Sequence, residues 1–255
     1  KLEEKYGLTE ALIAVPAYEQ SSDQEVAFQA VDYILRVLKK NMVFGMTWGR
    51  AMHEFVEQLA KDERLRSLSF QNVKVVPFLG TPGAIQSDSW NTTTYSNTLA
   101  TKVGNLLHCA SYNLSAPMYV EGTKEKELIE SIDEIAKVLH MAETADIALI
   151  GIGSMQDDSS IIKAEIRTKE EYKELVRKGA VGEIVGRIYD KNGQTVDEDL
   201  KRKMVGISLD KIAKIPVRVG MSYGKDKIEA IKGAIAGGLV NVLVTDVPTA
   251  ELLLK

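Results

Sequence analysis

The stretch VFGMTWGR, from Val43 to Arg50, contains the local pattern that decides the fold of this chain. A short apolar run meets a glycine, a hydroxyl, a second glycine and a cation. Directly after it, apolar residues recur at the spacing of one helical face, at Met52, Phe55, Val56 and Leu59. A strand, a loop and a helix in this order are typical of proteins in which helices cover a parallel sheet.

The same alternation of strand-like and helix-like segments continues along the rest of the chain. Periodicity and β-branched content predict strands at residues 11–16, 41–46, 73–79, 146–154, 215–221 and 239–246. Further helices are predicted at residues 23–40, 96–104, 126–145, 169–179, 225–238 and 248–255. An extended segment is expected at 112–120, a loop at 155–168 and a turn at Asn192-Gly193.

The alternation predicts an α/β fold, a single domain over residues 1–255. We expect a doubly wound, mainly parallel sheet with helices on both faces, together with a small inserted lobe built from residues 80–120. No low-complexity linker or tandem repeat divides the chain.

Composition narrows the class of function. The chain has 255 residues, 45% of them hydrophobic, and a formal net charge of -4 without any block of five like charges. It therefore lacks the electrostatic footprint of a nucleic-acid or membrane-surface binder, and we expect a small ligand. Three histidines and one cysteine, Cys109, provide no CxxC or HExxH spacing, so no metal site, cofactor or disulfide is predicted.

The ends of the chain favour a cytoplasmic fragment. No apolar run reaches the roughly 18 residues of a membrane span, and the acidic start KLEEKYGLTE is unlike a signal peptide. The first residue, Lys1, is not methionine. We therefore expect that a domain upstream of this chain is missing from it.

Four predicted strand ends are rich in glycine or hydroxyl residues: 45–50, 79–83, 151–154 and 220–225. In open parallel sheets, ligands bind beyond the carboxyl ends of the strands, where loops lead into helix N-termini. The four loops are therefore the candidate binding walls.

The loop from Gly45 to Arg50 has two interpretations. A glycine lets the backbone approach an anion closely, the first helical N–H groups point outward, and Thr47 and Arg50 add a hydroxyl and a forked cation. Alternatively, Thr47 caps the helix while Gly45 and Gly49 only shape the turn. The motif alone does not separate an anion cradle from a capped turn.

The remaining polar positions are equally open at this stage. Gly151 and Gly153 resemble a dinucleotide fingerprint that lacks its third glycine, so a tight turn explains them as well. Glu183 is able to accept hydrogen bonds from sugar hydroxyls, or to form a surface ion pair with Arg187. Lys227, at a helix start where the dipole disfavours cations, either faces an anion or is simply solvated.

No catalytic residue is predicted. His53, His108 and His140 each have apolar neighbours and no evident acid partner, which is typical of core or boundary histidines. Cys109 has no nucleophile context and is expected to behave as a small buried hydrophobe.

Taken together, several segments resemble the effector domain of the SorC family of bacterial sugar-responsive transcription regulators. The most specific are GMTWGRAM (45–52), GAVGEIVGRIYDKNG (179–193) and IAGGLVNVLVTDVPTAELLL (235–254), and the resemblance extends from Leu8 to Leu254. It implies a fold related to glucosamine-6-phosphate deaminase, ribose-5-phosphate isomerase and CoA transferases. It also implies an effector that is a phosphorylated sugar, a dimer or tetramer, and operator DNA contacted through a helix-turn-helix domain outside this chain.

The resemblance also implies individual ligand contacts. Gly45, Thr47, Trp48, Gly49 and Arg50 match the family's phosphate-side loop, and Gly80 and Gly83 match its second glycine loop. Asn97 matches the asparagine on the following helix, Glu183 the acid that meets sugar hydroxyls, and Lys227 the lysine at the last helix start. Thr81, within the second loop, and Gly153 complete the predicted ligand-binding set.

The chain departs from the family pattern at two places. The second glycine loop is Gly80-Thr81-Pro82-Gly83 instead of a glycine pair, and Met221-Ser222-Tyr223-Gly224 replaces the usual A-G-G before the lysine. We therefore predict a sensor of a phosphorylated sugar that regulates carbohydrate genes and is not an enzyme. The alternatives are a sugar-phosphate isomerase or deaminase of the same fold, and a bare oligomerisation module.

Overall fold

A computed structural model describes residues 1–15, 21–82, 92–157 and 159–255. The strands in these ranges are β1 (Glu10–Ala14), β2 (Val43–Met46), β3 (Lys74–Pro77), β4 (Ala110–Ser111), β5 (Ile147–Gly151), β6 (Gly153–Ser154), β7 (Ala180–Ile184), β8 (Arg187–Asp190), β9 (Val217–Met221) and β10 (Val242–Asp246). The helices are α1 (Leu2–Tyr6), α2 (Ser22–Val37), α3 (Arg50–Leu59), α4 (Ser96–Leu106), α5 (Thr123–Glu130), α6 (Asp133–Glu143), α7 (Ser160–Lys163), α8 (Lys169–Arg177), α9 (Glu198–Lys203), α10 (Leu209–Ile212), α11 (Ile228–Ala236) and α12 (Val247–Leu254). Short 3₁₀ turns lie at Glu63–Arg66, Thr92–Thr94 and Lys225–Lys227.

The described strands form two sheets. The larger has seven strands in the order β1-β10-β9-β5-β2-β3-β4, and every neighbouring pair in it is parallel. Its central strands are almost entirely buried, as their continuous apolar sequences require of a parallel sheet covered on both faces. The smaller sheet is antiparallel, in the order β6-β7-β8. The doubly wound parallel sheet predicted from the sequence is confirmed.

Helices lie on both faces of the large sheet, as alternation along one strand shows. On β5, Ile147 and Leu149 belong to a hydrophobic cluster that also contains the buried residues of α2, α3 and α4. Ala148 and Ile150, which point to the opposite face, belong to a second cluster with residues of α6, α11 and α12. The core is therefore two apolar layers separated by the sheet.

The winding reverses direction between β2 and β5. From β2 the chain adds β3 and β4 on one side, and from β5 it adds β9 and β10 on the other. The two strands are parallel neighbours, with Phe44 opposite Ile147 and Met46 opposite Leu149. Since the loops that follow them must separate to opposite sides, a crevice opens beyond their carboxyl ends.

The structure corrects the position of the small lobe. In the described part of residues 80–120, α4 packs on β3 and β4 forms the edge of the large sheet. The separate unit is instead the β6-β7-β8 sheet, within residues 153–190. Its strands are short, and β6 is separated from β7 by α7 and α8, so no continuous strand periodicity marks this sheet in the sequence.

Three local predictions need revision. The helix expected at 126–145 is two helices, because the chain breaks between Glu130 and Asp133. The loop expected at 155–168 contains α7. A turn lies at Asn192-Gly193 as predicted, but the β7–β8 hairpin closes earlier, at Val185 and Gly186, where both φ angles are positive (54° and 68°).

Candidate functional site

The crevice between β2 and β5 is part of a cavity of about 440 Å³. Its walls come from the loops after β2, β5 and β9, the first turn of α2, the start of α7 and the β7 carboxylate. Three of the four glycine-rich strand ends predicted from the sequence therefore meet at one site. The fourth, at residues 79–83, does not contribute to the described cavity wall.

The loop after β2 presents a helix N-terminus to the cavity. Gly49 has φ of 104°, a conformation that favours glycine, and its N–H donates to the Thr94 carbonyl at 2.9 Å. The helix α3 starts at the next residue, and Arg50 and Ala51 line the cavity. Since the first N–H groups of a helix have no intrahelical acceptor, this wall attracts an anion, and the exposed guanidinium of Arg50 adds a positive charge.

Thr47 lies behind this wall instead of on it. Its backbone N–H donates to the Leu149 carbonyl at 3.1 Å, and its hydroxyl oxygen accepts the Gly151 N–H at 3.1 Å. The side chain is 1% exposed. Thr47 thus holds the two loops of the crevice together, and neither helix capping nor a direct position on the cavity wall describes it.

Glu183 is the buried carboxyl group of the cavity. One of its oxygens accepts the Gly186 N–H, and the Trp48 indole also donates to it. Burial raises the pKa of Glu183 to about 7, although the Gly186 hydrogen bond and the charge of Lys227 act to lower it. The Glu183 side chain packs against Gly153, where an added Cβ would lie 2.9 Å from the Oε2 atom of Glu183.

The alternative of a surface ion pair between Glu183 and Arg187 is wrong. Both side chains are buried, at 7% and 3% exposure. The Nη2 group of Arg187 donates to the carbonyls of Met204 and Gly206. Arg187 therefore braces the chain between α9 and α10, and among the described residues Glu183 forms no ion pair as it faces the cavity.

Lys227 belongs to a small polar network at the cavity wall. Its Nζ donates to the Ser154 hydroxyl oxygen at 2.8 Å and lies 3.5 Å from the Asp226 carboxylate. The Ser154 hydroxyl in turn donates to the Asp226 Oδ2 at 2.9 Å. The predicted position of Lys227 at a helix start facing the site is therefore observed, but its charge is already partly neutralised.

Tyr223 and Asp23 join two elements at the edge of the cavity. The Tyr223 hydroxyl donates to the Asp23 carboxylate, which lies in the first turn of α2. Burial, followed by the contact with Asp23, raises the pKa of the tyrosine. Tyr223 lies within MSYG, one of the two segments in which the sequence departs from the family pattern.

The described residues of the second glycine loop, Gly80 and Thr81, contact neighbouring segments of the protein. Gly80 is packed so that an added Cβ would lie 2.5 Å from the Ala116 carbonyl oxygen. Asn97 donates to the Thr81 hydroxyl oxygen at 2.9 Å and to the Leu114 carbonyl at 3.0 Å, and its Oδ1 accepts the Leu114 N–H at 2.9 Å. Gly83 lies outside the described residues. A ligand role for these positions stays a prediction.

Gly45 also has a packing role. It lies within β2, and a Cβ at this position would come 2.0 Å from the Phe78 ring. Gly45 does not line the described cavity. The absence of a Cβ at Gly45 therefore leaves space for a core aromatic ring, not for a ligand.

We expect Asn97→Ala to lower the free energy of unfolding by about 2 kcal/mol, because the N–H of the fully buried Leu114 loses its partner and the Leu114 carbonyl keeps only the Ala116 N–H. Urea unfolding followed by circular dichroism measures the change. The matched control is Asn105→Ala, an exposed position on the same helix, which should change stability by less than about 0.5 kcal/mol. Equal effects of the two substitutions would contradict the role of Asn97 as a tie.

Sequence reasoning missed three polar residues that line the cavity, Asp23, Ser160 and Asp226, and also Ser154, which contacts Asp226 and Lys227. Ser154 was visible only as the end of a glycine turn. Asp226 lies between Lys225 and Lys227, a pattern typical of a solvated charged run. Asp23 is separated from Tyr223 by 200 positions, and no local pattern links them.

Other classes of site receive no support from the described part of the chain. No group of three or more His, Cys, Asp or Glu in these ranges is arranged to hold a metal ion. None of the helices described is both long and apolar enough to cross a bilayer. None of the three histidines lines the described cavity.

The whole chain, residues 1–255, matches the family described as "Putative sugar-binding domain". It is 30% identical over 259 residues to the sorbitol operon regulator of Klebsiella pneumoniae, covering 100% of this chain and 79% of that protein. It is also 30% identical over 230 residues to the transcriptional regulator LsrR of Escherichia coli, covering 89% of this chain and 67% of the relative.

A solved structure has the same fold over the entire chain. The full-length sorbitol operon regulator SorC from Klebsiella pneumoniae superposes with a TM-score of 0.87 at 29% identity. The match covers 100% of this chain and 79% of that protein. About a fifth of the SorC regulator therefore lies outside the region this chain matches.

Proposed function

The chain belongs to the sugar-binding domain family, whose members named above are transcriptional regulators, and from this we propose that it binds a phosphorylated sugar as a regulatory effector. The observation that carries the proposal is the cavity at the winding reversal of the sheet. There, the N-terminus of α3, Arg50 and Lys227 provide an anion site, and Glu183 provides a buried acceptor for hydroxyl groups.

We further propose that the domain regulates carbohydrate genes as part of a cytoplasmic homo-oligomer. Operator DNA would be contacted by a helix-turn-helix domain outside this sequence, while residues 1–255 bind the effector and associate. The effector acts only if it binds one arrangement of the subunits more tightly than another, because equal affinity for both shifts no population. Arg50 and Trp48 lie on the cavity wall and are the first candidates for contact with the phosphate and the sugar ring.

Thermal unfolding in the presence of sugar phosphates tests the proposal. We expect at least one of glucose 6-phosphate, fructose 6-phosphate, ribose 5-phosphate and glucosamine 6-phosphate to raise Tm at millimolar concentration, with a much smaller effect of the free sugars. Arg50→Ala and Lys227→Ala should each weaken binding about 10- to 100-fold, as expected for the loss of one charge-assisted contact. Isothermal titration calorimetry measures the affinities.

The matched control is Arg66→Ala, which removes an exposed arginine that forms a surface ion pair with Glu63. Its affinity should equal that of the wild type. If no sugar phosphate of the panel raises Tm, the proposal fails. A response that survives both Arg50→Ala and Lys227→Ala would place the anion site elsewhere.

One observation favours a second candidate, an isomerase or deaminase acting on a sugar phosphate. The buried Glu183, with its pKa raised to about 7, has the affinity for protons that a general base requires near neutral pH. Incubation with the same panel, followed by proton NMR in deuterated water, tests it. Exchange or turnover above the buffer rate that disappears in Glu183→Gln would establish an enzyme.

A further inference from the structure

The charges on the described cavity wall are unevenly distributed. Two cations, Arg50 and Lys227, stand against three carboxyl groups, Asp23, Glu183 and Asp226. A cavity built for a ligand with anionic groups at both ends would instead need cations at both ends. The imbalance therefore bears on how many phosphates the ligand carries.

The two cations are not equivalent. Lys227 already contacts the Asp226 carboxylate at 3.5 Å and donates to Ser154 at 2.8 Å. Arg50 has no ion pair within the described residues, and it stands at the N-terminus of α3, where free N–H groups add to its field. One phosphate therefore fits beside Arg50. The other cation of the described wall, Lys227, already contacts a carboxylate, so no unpaired cation remains there for a second phosphate.

Each of the carboxyl groups is held in place by a donor from the protein. Tyr223 donates to Asp23, Ser154 donates to Asp226, and the Gly186 N–H donates to Glu183. A carboxylate oxygen so held keeps further lone pairs that accept hydrogen bonds. These three carboxyl groups are therefore fixed acceptors that bind hydroxyl or ammonium groups, and the carboxylates of Asp23 and Asp226 repel a second anion.

The residues outside the described ranges add no cation to the chain's supply. Residues 16–20, 83–91 and 158 contain no lysine, arginine or histidine, and their charged residues are the acids Glu19, Asp88 and Asp158. They have no cation with which to complete a second phosphate site, whatever their positions.

Resting on the proposed function, we infer that the effector is a sugar monophosphate whose other end carries hydrogen-bond donors, either hydroxyl or amino groups. Its phosphate lies at Arg50 and the start of α3, and its donors meet the carboxyl groups of Asp23, Glu183 and Asp226. Sugar bisphosphates and phosphorylated sugar acids are excluded by repulsion from the carboxylates of Asp23 and Asp226. Tyr223 is a positioning residue, since it fixes Asp23 and contacts the ligand through that carboxylate.

Matched pairs of ligands test the inference by calorimetry on the wild-type chain. The pairs are fructose 6-phosphate with fructose 1,6-bisphosphate, glucose 6-phosphate with glucose 1,6-bisphosphate, and glucose 6-phosphate with 6-phosphogluconate. We expect the monophosphate of every pair that binds to be at least tenfold tighter than its doubly anionic partner. Equal or tighter binding of the partner overturns the inference but leaves the proposed function intact. Binding of neither member of any pair overturns the inference, and it overturns the proposed function as well if ribose 5-phosphate and glucosamine 6-phosphate also fail to bind.

Neutral variants test whether the carboxyl groups cause the selectivity. Asp23→Asn and Asp226→Asn, alone and combined, keep the side-chain shape, and the latter also frees the charge of Lys227. We expect the combined variant to reduce the preference for the monophosphate at least tenfold. The control Glu63→Gln removes one exposed charge outside the cavity and should leave the preference unchanged. An unchanged preference in a combined variant with wild-type Tm overturns the charge-based explanation.

Tyr223→Phe separates positioning from packing. It retains the ring and loses the hydroxyl that holds Asp23. We expect weaker binding of the monophosphate with little change in Tm, and no additional loss when Asp23→Asn is added. Independent, additive losses would show that Tyr223 acts on the ligand by another route.

Discussion

Replacing Gly45 with alanine is expected to lower the free energy of unfolding by about 3 kcal/mol, at the upper end of the usual cost of overpacking a core. The added Cβ would lie 2.0 Å from Cε1 and 2.2 Å from Cζ of Phe78. Phe78 is fully buried, so its ring has no free space into which to move. Urea unfolding at neutral pH measures the loss.

A second substitution identifies the cause. Phe78→Leu removes the two ring atoms that clash, and in its background Gly45→Ala should cost at least about 2 kcal/mol less than in the wild type. Gly122→Ala is the control, because a Cβ there meets only Glu125, at 4.0 Å, and φ is -126°. A Gly45→Ala variant as stable as the wild type would show that the ring is easily displaced.

The pH dependence of stability is expected to differ between the wild type and Glu183→Gln. Burial raises the pKa of Glu183 from 4.5 to about 7 in the folded chain, so between these values the folded state binds more protons than the unfolded state. The stability contributed by the protonated form is complete below pH 4.5 and is lost as the pH rises through 7. Relative to Glu183→Gln, the wild type should lose about 2 to 3 kcal/mol between pH 5 and pH 8.

Urea unfolding of both proteins at pH 5, 6, 7 and 8 measures this difference, since all other groups contribute equally to the two curves. Glu4→Gln, at an exposed position near the start of the chain, is the control and should follow the wild type. Parallel curves for the wild type and Glu183→Gln would mean that the carboxyl group is not desolvated as the structure indicates.

The predictions for Gly45 and Glu183 concern two residues that the sequence assigned to the same ligand-binding set. The structure gives them different roles. Gly45 and Glu183 were both expected to contact the ligand. Glu183 lines the cavity, whereas the Phe78 ring packs against Gly45. A glycine in the sequence does not indicate which group packs against it, because a ligand, a backbone segment and a side chain all need the space left by the missing Cβ.

The alternation of strand and helix patterns was enough to predict the parallel sheet, its helices on both faces and the loops that bear the site. These features depend on local periodicity and on burial of each strand on two faces, and both are written into short segments. The same holds for Gly49, Arg50 and Lys227, which occupy strand-to-helix junctions where a parallel sheet places its ligands.

Only the tertiary structure decided which of those loops meet, and with what charge. Tyr223 contacts Asp23 across 200 positions, Ser154 contacts Asp226 across 72, and Thr47 joins Gly151 across 104. No local pattern encodes such pairs, because they arise from the strand order β5-β2 and β5-β9 and not from spacing along the chain. The pKa of Glu183 likewise depends on burial by distant segments. The sequence identified an acidic residue, and only the packing shows that its carboxyl group is desolvated and its pKa raised.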